Sequence, residues 1–135
     1  GQVRVLKYFA CHDVGFTINP LLVEGQIEGG VAFGLGYALT EEVLIQRGQV
    51  LNPSFTEYHL PLATSVPRIE YATISVPSGL GPFGAKGIGE PPTVPVAPAI
   101  ANAVYDAVGV RINDLPITPE KILKALKADI TIVEF

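Results

Sequence analysis

Two stretches of the chain alternate apolar and polar residues in the manner of β-strands. They are residues 3–14 and 68–76, and both are rich in β-branched and aromatic side chains. A turn at Gly48 leads into a short third strand near Val50. Two further segments have a weaker pattern: residues 52–66, which we expect to form an irregular connection, and residues 130–135, which suit a strand or a frayed tail.

Three helices are predicted from apolar residues at helical spacing and from residues that start or stop a helix. The Asn-Pro pair at 19–20 provides an N-cap and a first-turn proline for a helix that runs to about residue 43. An alanine-rich helix over residues 93–108 ends at Gly109, a favourable residue just past a helix end. Thr118 caps the last helix, which runs to about residue 127.

These elements favour the α+β class, because strands and helices mix without regular β-α alternation. We expect a two-layer sandwich of mixed or antiparallel strands with three helices, formed by residues 1–135 as one domain. Apolar residues make up 48% of the chain and charged residues 16%, whereas about a quarter charged is usual. From this apolar excess we expect other protein to cover part of the surface. With the absence of methionine, we expect either a fragment of a larger protein or a subunit translated with its start removed.

Charge and composition exclude several classes of protein. A net charge of −4 without basic clusters offers no electrostatic surface for nucleic acid. Cys11 is the only cysteine, so neither a disulfide framework nor a cysteine-based metal site is expected. The longest apolar stretch, residues 21–45, is interrupted by glutamates and does not suit a membrane span. Since no signal peptide is visible, we expect a cytoplasmic protein, with the periplasm as the alternative.

The segment GLGPFGAKGIGEPP, residues 79–92, carries the most informative pattern in the chain. Its five glycines allow the backbone to approach a bulky group, since no Cβ intervenes. Glu90 follows, directly before two prolines that restrict the backbone. Because Pro92 suits the first turn of a helix, we expect Glu90 to lie at a helix entrance beside a loop made for close contact.

The same segment also contains a literal G-x-G-x-x-G at Gly79, Gly81 and Gly84. A dinucleotide fold would need a helix to open within this motif, whereas prolines interrupt the segment and the helix is predicted later. A P-loop is excluded, because Lys86 precedes a glycine and not a serine or threonine. An independent nucleotide-binding domain is therefore only a minor alternative.

The first predicted helix contains five glycines between residues 25 and 36. Each costs about 0.8–1 kcal/mol relative to alanine in an ordinary helix interior. Close packing is one explanation, since Gly25 and Gly29, like Gly30 and Gly34, are four residues apart. The other is that Gln26 and the glycines beside it contact a large ligand. Spacing alone leaves both explanations open.

Two separated motifs, GQIEGG at 25–30 and GAKGIGEPP at 84–92, together resemble the molybdenum hydroxylases, the xanthine dehydrogenase and aldehyde oxidoreductase family. The resemblance covers nearly the whole chain, but corresponds only to the C-terminal part of that family's molybdopterin-binding catalytic subunit. Five flanking segments agree with it: DVG at 13–15, INP at 18–20, EE at 41–42, AIANA at 99–103 and PITPE at 116–120.

The resemblance implies an oxidoreductase that hydroxylates an aldehyde or an N-heterocycle, with water as the oxygen source. In that family molybdenum is held by the dithiolene of molybdopterin, in bacteria often as the cytosine dinucleotide, and no side chain of the protein ligates the metal. The residue matching Glu90 is the general base that takes the proton from the molybdenum-bound hydroxyl. Electrons leave through iron–sulfur clusters, in some members with FAD, on other domains or subunits.

The resemblance also assigns cofactor contacts and partners. Gln26 would contact the pterin or the oxygen ligands of the metal. The expected partners are the remaining molybdopterin-binding domains and the iron–sulfur and flavin subunits, and the chain alone is expected to self-associate. The alternative is a non-catalytic module that only folds and assembles within such an enzyme. The backbone that would line the cofactor is that of Gly29, Gly30, Lys86, Gly87, Ile88 and Gly89.

Other polar residues have structural interpretations. His12 and Asp13 are a candidate catalytic pair, but adjacent strand residues face opposite ways, so we expect a structural role for both. Asp13 is expected to accept hydrogen bonds from turn amides. His59 is expected to be structural or at the surface. The side chain of Lys86 suits either an anion contact or a position in solvent. Two residues remain as candidate hydrogen-bond donors to a cofactor, Ser78 and Thr93.

Overall fold

The computed structural model describes residues 1–129, and these contain three α-helices, four strands and one 3₁₀ turn. The expected α+β class is confirmed. The segment 130–135, where a strand or a tail was expected, lies outside the described residues. In chain order the elements are β1 (Lys7–Asp13), α1 (Pro20–Leu39), β2 (Ile45–Gln46), β3 (Gln49–Val50), β4 (Arg68–Ile74), the 3₁₀ turn (Pro82–Gly84), α2 (Val96–Val108) and α3 (Pro119–Asp129).

The two long strands, β1 and β4, pair in parallel, with Lys7 opposite Arg68 and Asp13 opposite Ile74. Parallel strands need a long crossover connection, and α1 lies in that connection. Strand β1 begins at Lys7 and not near residue 3, because Pro67 precedes the partner strand and has no N–H to continue the ladder. The short strands β2 and β3 form an antiparallel hairpin, which confirms the predicted strand near Val50.

Helix α1 starts where the sequence predicts and ends earlier. The side-chain Oδ1 of Asn19 accepts a hydrogen bond from the amide of Leu22 at 3.1 Å, which is an N-cap. The helix ends at Leu39 and not near residue 43. The amide of Thr40 donates to the carbonyl of Gly36 at 2.9 Å, as in an α-helix, but the amide of Glu41 donates to the same carbonyl at 2.8 Å, five residues back. A continuing helix would pair the amide of Glu41 with the carbonyl of Tyr37, so the helical pattern stops here.

Helix α2 begins at Val96, three residues later than predicted. Pro95 explains the difference, because a residue that precedes proline is disfavoured in helical geometry. The amide of Gly109, which has a positive φ of 76°, donates to the carbonyl of Tyr105 at 2.8 Å. This confirms Gly109 as the predicted helix stop. Helix α3 is capped by the hydroxyl of Thr118, which accepts from the amide of Lys121 at 3.3 Å.

The chain divides into two compact units. One comprises residues 5–34 and 62–96, and its buried side chains include Ala10, Val14, Ile27, Val31 and Val96. The other comprises residues 1–4, 35–61 and the described residues from 97 onwards, and its buried side chains include Leu35, Ala38, Ile100, Val104, Ile117 and Ile122. Both sequence motifs singled out above lie in the first unit, which we call the motif unit. No helix within residues 1–129 is long and apolar enough to span a membrane.

Candidate functional site

The two glycine-rich motifs, far apart in the sequence, contact each other within the motif unit. Gly30 on α1 lies against Pro92, whose side chain is almost fully buried. A Cβ on Gly30 would lie 2.6 Å from the Cβ of Pro92 and 3.2 Å from the amide nitrogen of Thr93. Glycine is therefore required at position 30 because the segment that follows Glu90 packs directly against the helix backbone.

Helix α1 buries one face and exposes the opposite one. Ile27 and Val31, four residues apart, are fully buried. The exposed face, which we call the outer face of α1, carries Leu22, Gly25, Gln26, Gly29 and Phe33 at the spacing that places residues on one side of a helix. Gln26 and Gly29 are thus neighbours on the exposed surface of the helix. Gln26 provides an amide side chain there, and the backbone of Gly29 beside it has no side chain to cover it.

The glycines of α1 fall into two groups, and close packing within the chain explains only one of them. Gly30 and Gly34 pack closely, since a Cβ on Gly34 would come within 2.6 Å of Val96 side-chain atoms. Around Gly25 and Gly29 a Cβ would meet nothing within 4 Å, and neither has a positive φ. Neither packing nor backbone conformation within the motif unit therefore accounts for glycine at positions 25 and 29.

The loop before Glu90 shows the same property. A Cβ on Gly87 or Gly89 would meet nothing within 4 Å, and neither glycine has a positive φ. Ile88 between them is half-buried, and the side chain of Glu90 is exposed. The carbonyl of Glu90 accepts a hydrogen bond from the amide of Thr93 at 2.9 Å. The turn fixes the backbone of Glu90 and leaves its carboxylate free to meet a group outside the chain.

The carboxylate of Asp13 connects three segments of the motif unit. Its Oδ1 accepts from the amides of Gly15 and Val76, at 3.0 and 3.3 Å, which confirms the expected contact with turn amides. Its Oδ2 accepts from the ammonium of Lys86 at 2.6 Å. The hydrogen bond from Lys86, followed by that from Gly15, holds the pKa of the Asp13 carboxyl below its ordinary value. The side chain of Lys86 is thus paired within the chain.

The remaining candidate residues are Ser78, Thr93, His12 and His59. The hydroxyl of Ser78 accepts from the amide of Leu80 at 3.1 Å, which closes a local turn. Thr93 is half-buried in the turn after Glu90, and His12 is half-buried on β1. His59 is exposed and belongs to the other compact unit. Within residues 1–129 no three His, Cys, Asp or Glu side chains cluster closely enough to hold a metal ion.

Comparison with known proteins identifies the family of the chain. The model of a molybdopterin cofactor-binding domain matches residues 1–67. The xanthine dehydrogenase molybdenum-binding subunit of Escherichia coli O157:H7 is 42% identical over 123 residues, which cover 90% of this chain. The chain belongs to the molybdenum hydroxylase family.

Solved structures of other molybdenum hydroxylases agree with the fold. Quinoline 2-oxidoreductase from Pseudomonas putida 86 superposes with a TM-score of 0.86 at 38% identity, covering 92% of this chain and 16% of that one. Aldehyde oxidoreductase from Desulfovibrio gigas superposes with a TM-score of 0.77, also at 38% identity, covering 85% of this chain and 12% of that one. The chain likewise spans only 16% of the length of the E. coli subunit, so it corresponds to a small part of these molybdenum hydroxylases.

Proposed function

We propose that this chain supplies a wall of the cofactor site and the general base of a molybdopterin-dependent hydroxylase. The observation that carries the proposal is the open space beside Gly29, Gly87 and Gly89. Glycine at these positions is explained by neither packing nor a positive φ within the chain. A large ligand that lies against the bare backbone accounts for all three, and two of them immediately flank Ile88, next to Glu90.

The residues that would hold the cofactor lie on two surfaces joined at Gly30 and Pro92. On the outer face of α1, the amide of Gln26 can donate and accept hydrogen bonds beside the backbone of Gly29. On the loop, the backbone from Lys86 to Gly89 is narrow enough to approach a flat ring system. Gly30 brings these surfaces together, and the amide and ammonium of Lys86 hold the loop in place.

Glu90 is the residue to which we assign proton transfer. The molybdenum cofactor, when bound, supplies the two-electron oxidation and activates the water that provides the oxygen atom. An exposed carboxylate next to the cofactor surface can accept the proton released in that step. Its backbone is fixed by two prolines and by the turn to Thr93, and correct position is the first requirement of a general base.

The substrate class and partners are proposed from the relatives. Their names specify xanthine, quinoline and aldehydes, so we propose an N-heterocycle or an aldehyde as substrate. Molybdopterin is proposed in its cytosine dinucleotide form, with iron–sulfur clusters and FAD on other domains or subunits, and the assembled enzyme is proposed to be cytoplasmic. The alternative, a module that only folds and assembles, does not explain why an exposed Glu90 lies beside glycines with open surroundings.

The test of the proposed function is Glu90→Gln in the assembled enzyme. Removing a general base costs on the order of 10²–10⁴-fold in kcat, whereas molybdenum and pterin content should stay near wild type because the amide keeps the shape of the carboxylate. Glu57→Gln, which removes an exposed carboxylate of the other compact unit, is the matched control and should retain full kcat. Activity of Glu90→Gln within a few-fold of wild type would contradict the assignment.

The cofactor itself is tested by chemical analysis of the same preparations. Acid treatment of the assembled enzyme should release CMP in proportion to molybdenum if the cytosine dinucleotide form is bound. Molybdenum without CMP would contradict only the dinucleotide form. A preparation with neither molybdenum nor pterin, after assembly with all partners, would contradict the cofactor site.

A further inference from the structure

The carboxylate of Asp13 connects the ends of β1 and β4 to the segment that carries Glu90, through two hydrogen bonds and an ion pair. Gly15 follows β1 and Val76 follows β4, and the amides of both donate to Oδ1 of Asp13. Two amides therefore orient the carboxylate whether or not Lys86 is paired with it. The ammonium of Lys86 then meets Oδ2 at 2.6 Å, so its partner is already fixed in position.

Backbone hydrogen bonds hold the same segment up to Lys86. The amide of Lys86 donates to the carbonyl of Val14 at 2.9 Å, and the carbonyl of Gly84 accepts from Phe16 and Ser78 at 3.1 and 3.0 Å. The residues that follow Lys86 include Gly87 and Gly89, whose surroundings are open. Two glycines separated by a single residue make this stretch conformationally permissive, so its geometry depends on what holds its two ends.

The far end of the stretch is held by packing. Pro92 is almost fully buried and lies against Gly30, and the amide of Thr93 donates to the carbonyl of Glu90. Glu90 therefore lies between two fixed points of the chain. One is the apolar anchor, the packing of Pro92 against Gly30, and the other is the ionic anchor, the ion pair of Lys86 with Asp13. The apolar anchor follows Glu90 closely, whereas the ionic anchor is separated from it by both open glycines.

We infer that the ion pair of Lys86 with Asp13 positions Glu90 for proton transfer, with Lys86 as a positioning residue and not a cofactor ligand. The inference rests on the proposed role of Glu90 as general base. This role explains why the ammonium of Lys86, although beside the proposed cofactor surface, pairs with the carboxylate of Asp13 in the same chain.

The ion pair of Lys86 with Asp13 should affect kcat far more than the free energy of unfolding. Both side chains are about one-third exposed, and ion pairs of this kind contribute about 0–1 kcal/mol to folding. In contrast, a misplacement of about 1 Å in a reacting group can cost about 10²-fold in rate. Loss of the ion pair should therefore lower kcat while the free energy of unfolding hardly changes.

The experiment compares Lys86→Met and Asp13→Asn in the assembled enzyme. Lys86→Met removes the charge and keeps the stem, and Asp13→Asn keeps an oxygen that can accept from Gly15 and Val76. We expect each variant to lower kcat about ten- to a hundredfold, with KM and molybdopterin content near wild type. Lys86→Arg, which can still pair with Asp13, should recover most of the lost kcat. Because the pair acts as a unit, the double variant should be no slower than either single variant.

Hydrogen exchange provides the readout that does not depend on activity. In Lys86→Met, amides of residues 84–90 should exchange faster than in wild type, while those of α2 should be unchanged. The hydrogen-exchange result does not depend on the role of Glu90. If Glu90→Gln proves active, the proposed function is contradicted, but faster exchange in Lys86→Met would still show that the ion pair holds the segment. Unchanged exchange at residues 84–90, unchanged kcat, or loss of molybdopterin from Lys86→Met would each overturn the inference, the last because it would make Lys86 a cofactor contact.

Discussion

The side chains of Gln26 and Glu90 are exposed, and each is adjacent to glycines with open surroundings. The sequence could predict both as candidates, because the motifs that contain them are local and read directly from residue types. The link between Asp13 and Lys86 could not be predicted in the same way. Their opposite charges are visible in the sequence, but only the fold brings the end of β1 to the segment before Glu90.

For single residues, Gln26→Ala in the assembled enzyme tests the proposed contact with the cofactor. One hydrogen bond contributes about 0.5–1.5 kcal/mol net, so we expect cofactor retention or kcat to fall about two- to tenfold. The thermal unfolding temperature should not fall, because the side chain is exposed and no core atom is removed. Molybdenum content after dialysis and steady-state kinetics are the measurements, with the exposed Gln46→Ala as the control. Wild-type retention and wild-type kcat together would refute the contact.

At the scale of elements, the sequence predicted which segments become helices and strands but not where they all end. Caps such as Asn19 and Thr118 are local, and both were predicted correctly. Two of the misplaced boundaries depend on prolines, and one of these also on strand pairing. Pro95 delays α2, and Pro67 limits the ladder of β1 with β4. A strand boundary set by its partner is not visible in the strand's own sequence.

Helix α1 offers a test that separates folding from cofactor binding. Gly29→Ala adds a methyl group into open space and should raise the free energy of unfolding by about 0.8–1 kcal/mol, the usual helical difference between glycine and alanine. In the assembled enzyme the same methyl group would stand on the proposed cofactor surface, so molybdopterin content should fall. Urea unfolding and pterin fluorescence measure the two effects.

Gly34→Ala is the matched variant on the packed face of the same helix. Its Cβ would lie 2.5 Å from the Cβ of Val96, so the variant should lose about 1–3 kcal/mol of stability through overpacking. Opposite signs of the stability change for the two glycines would support the division of α1 into a packed side and an open side. If Gly29→Ala stabilises the chain and leaves pterin content unchanged, the outer face of α1 does not contact the cofactor.

At the scale of the whole molecule, the apolar excess found in the sequence appears as exposed large side chains. On the outer face of α1, Leu22 and Phe33 are 66% and 68% exposed. Composition predicted that apolar surface would remain uncovered, but not which face would carry it. That location follows from the burial of Ile27 and Val31, which orients α1 and leaves Leu22 and Phe33 on the exposed face.

The chain expressed by itself should therefore fold, fail to retain molybdopterin, and self-associate. Tight small-molecule sites bury most of the ligand surface, and the two surfaces described above provide only one wall of such a site. Exposed large apolar side chains favour association in water, so sedimentation velocity should show oligomers that increase with concentration. Phe33→Gln should shift the distribution towards monomer, whereas Phe55→Gln, which replaces an exposed phenylalanine of the other compact unit, should not. Stoichiometric molybdopterin in the purified chain, or a monomer at all concentrations, would contradict the assignment of this face to contacts outside the chain.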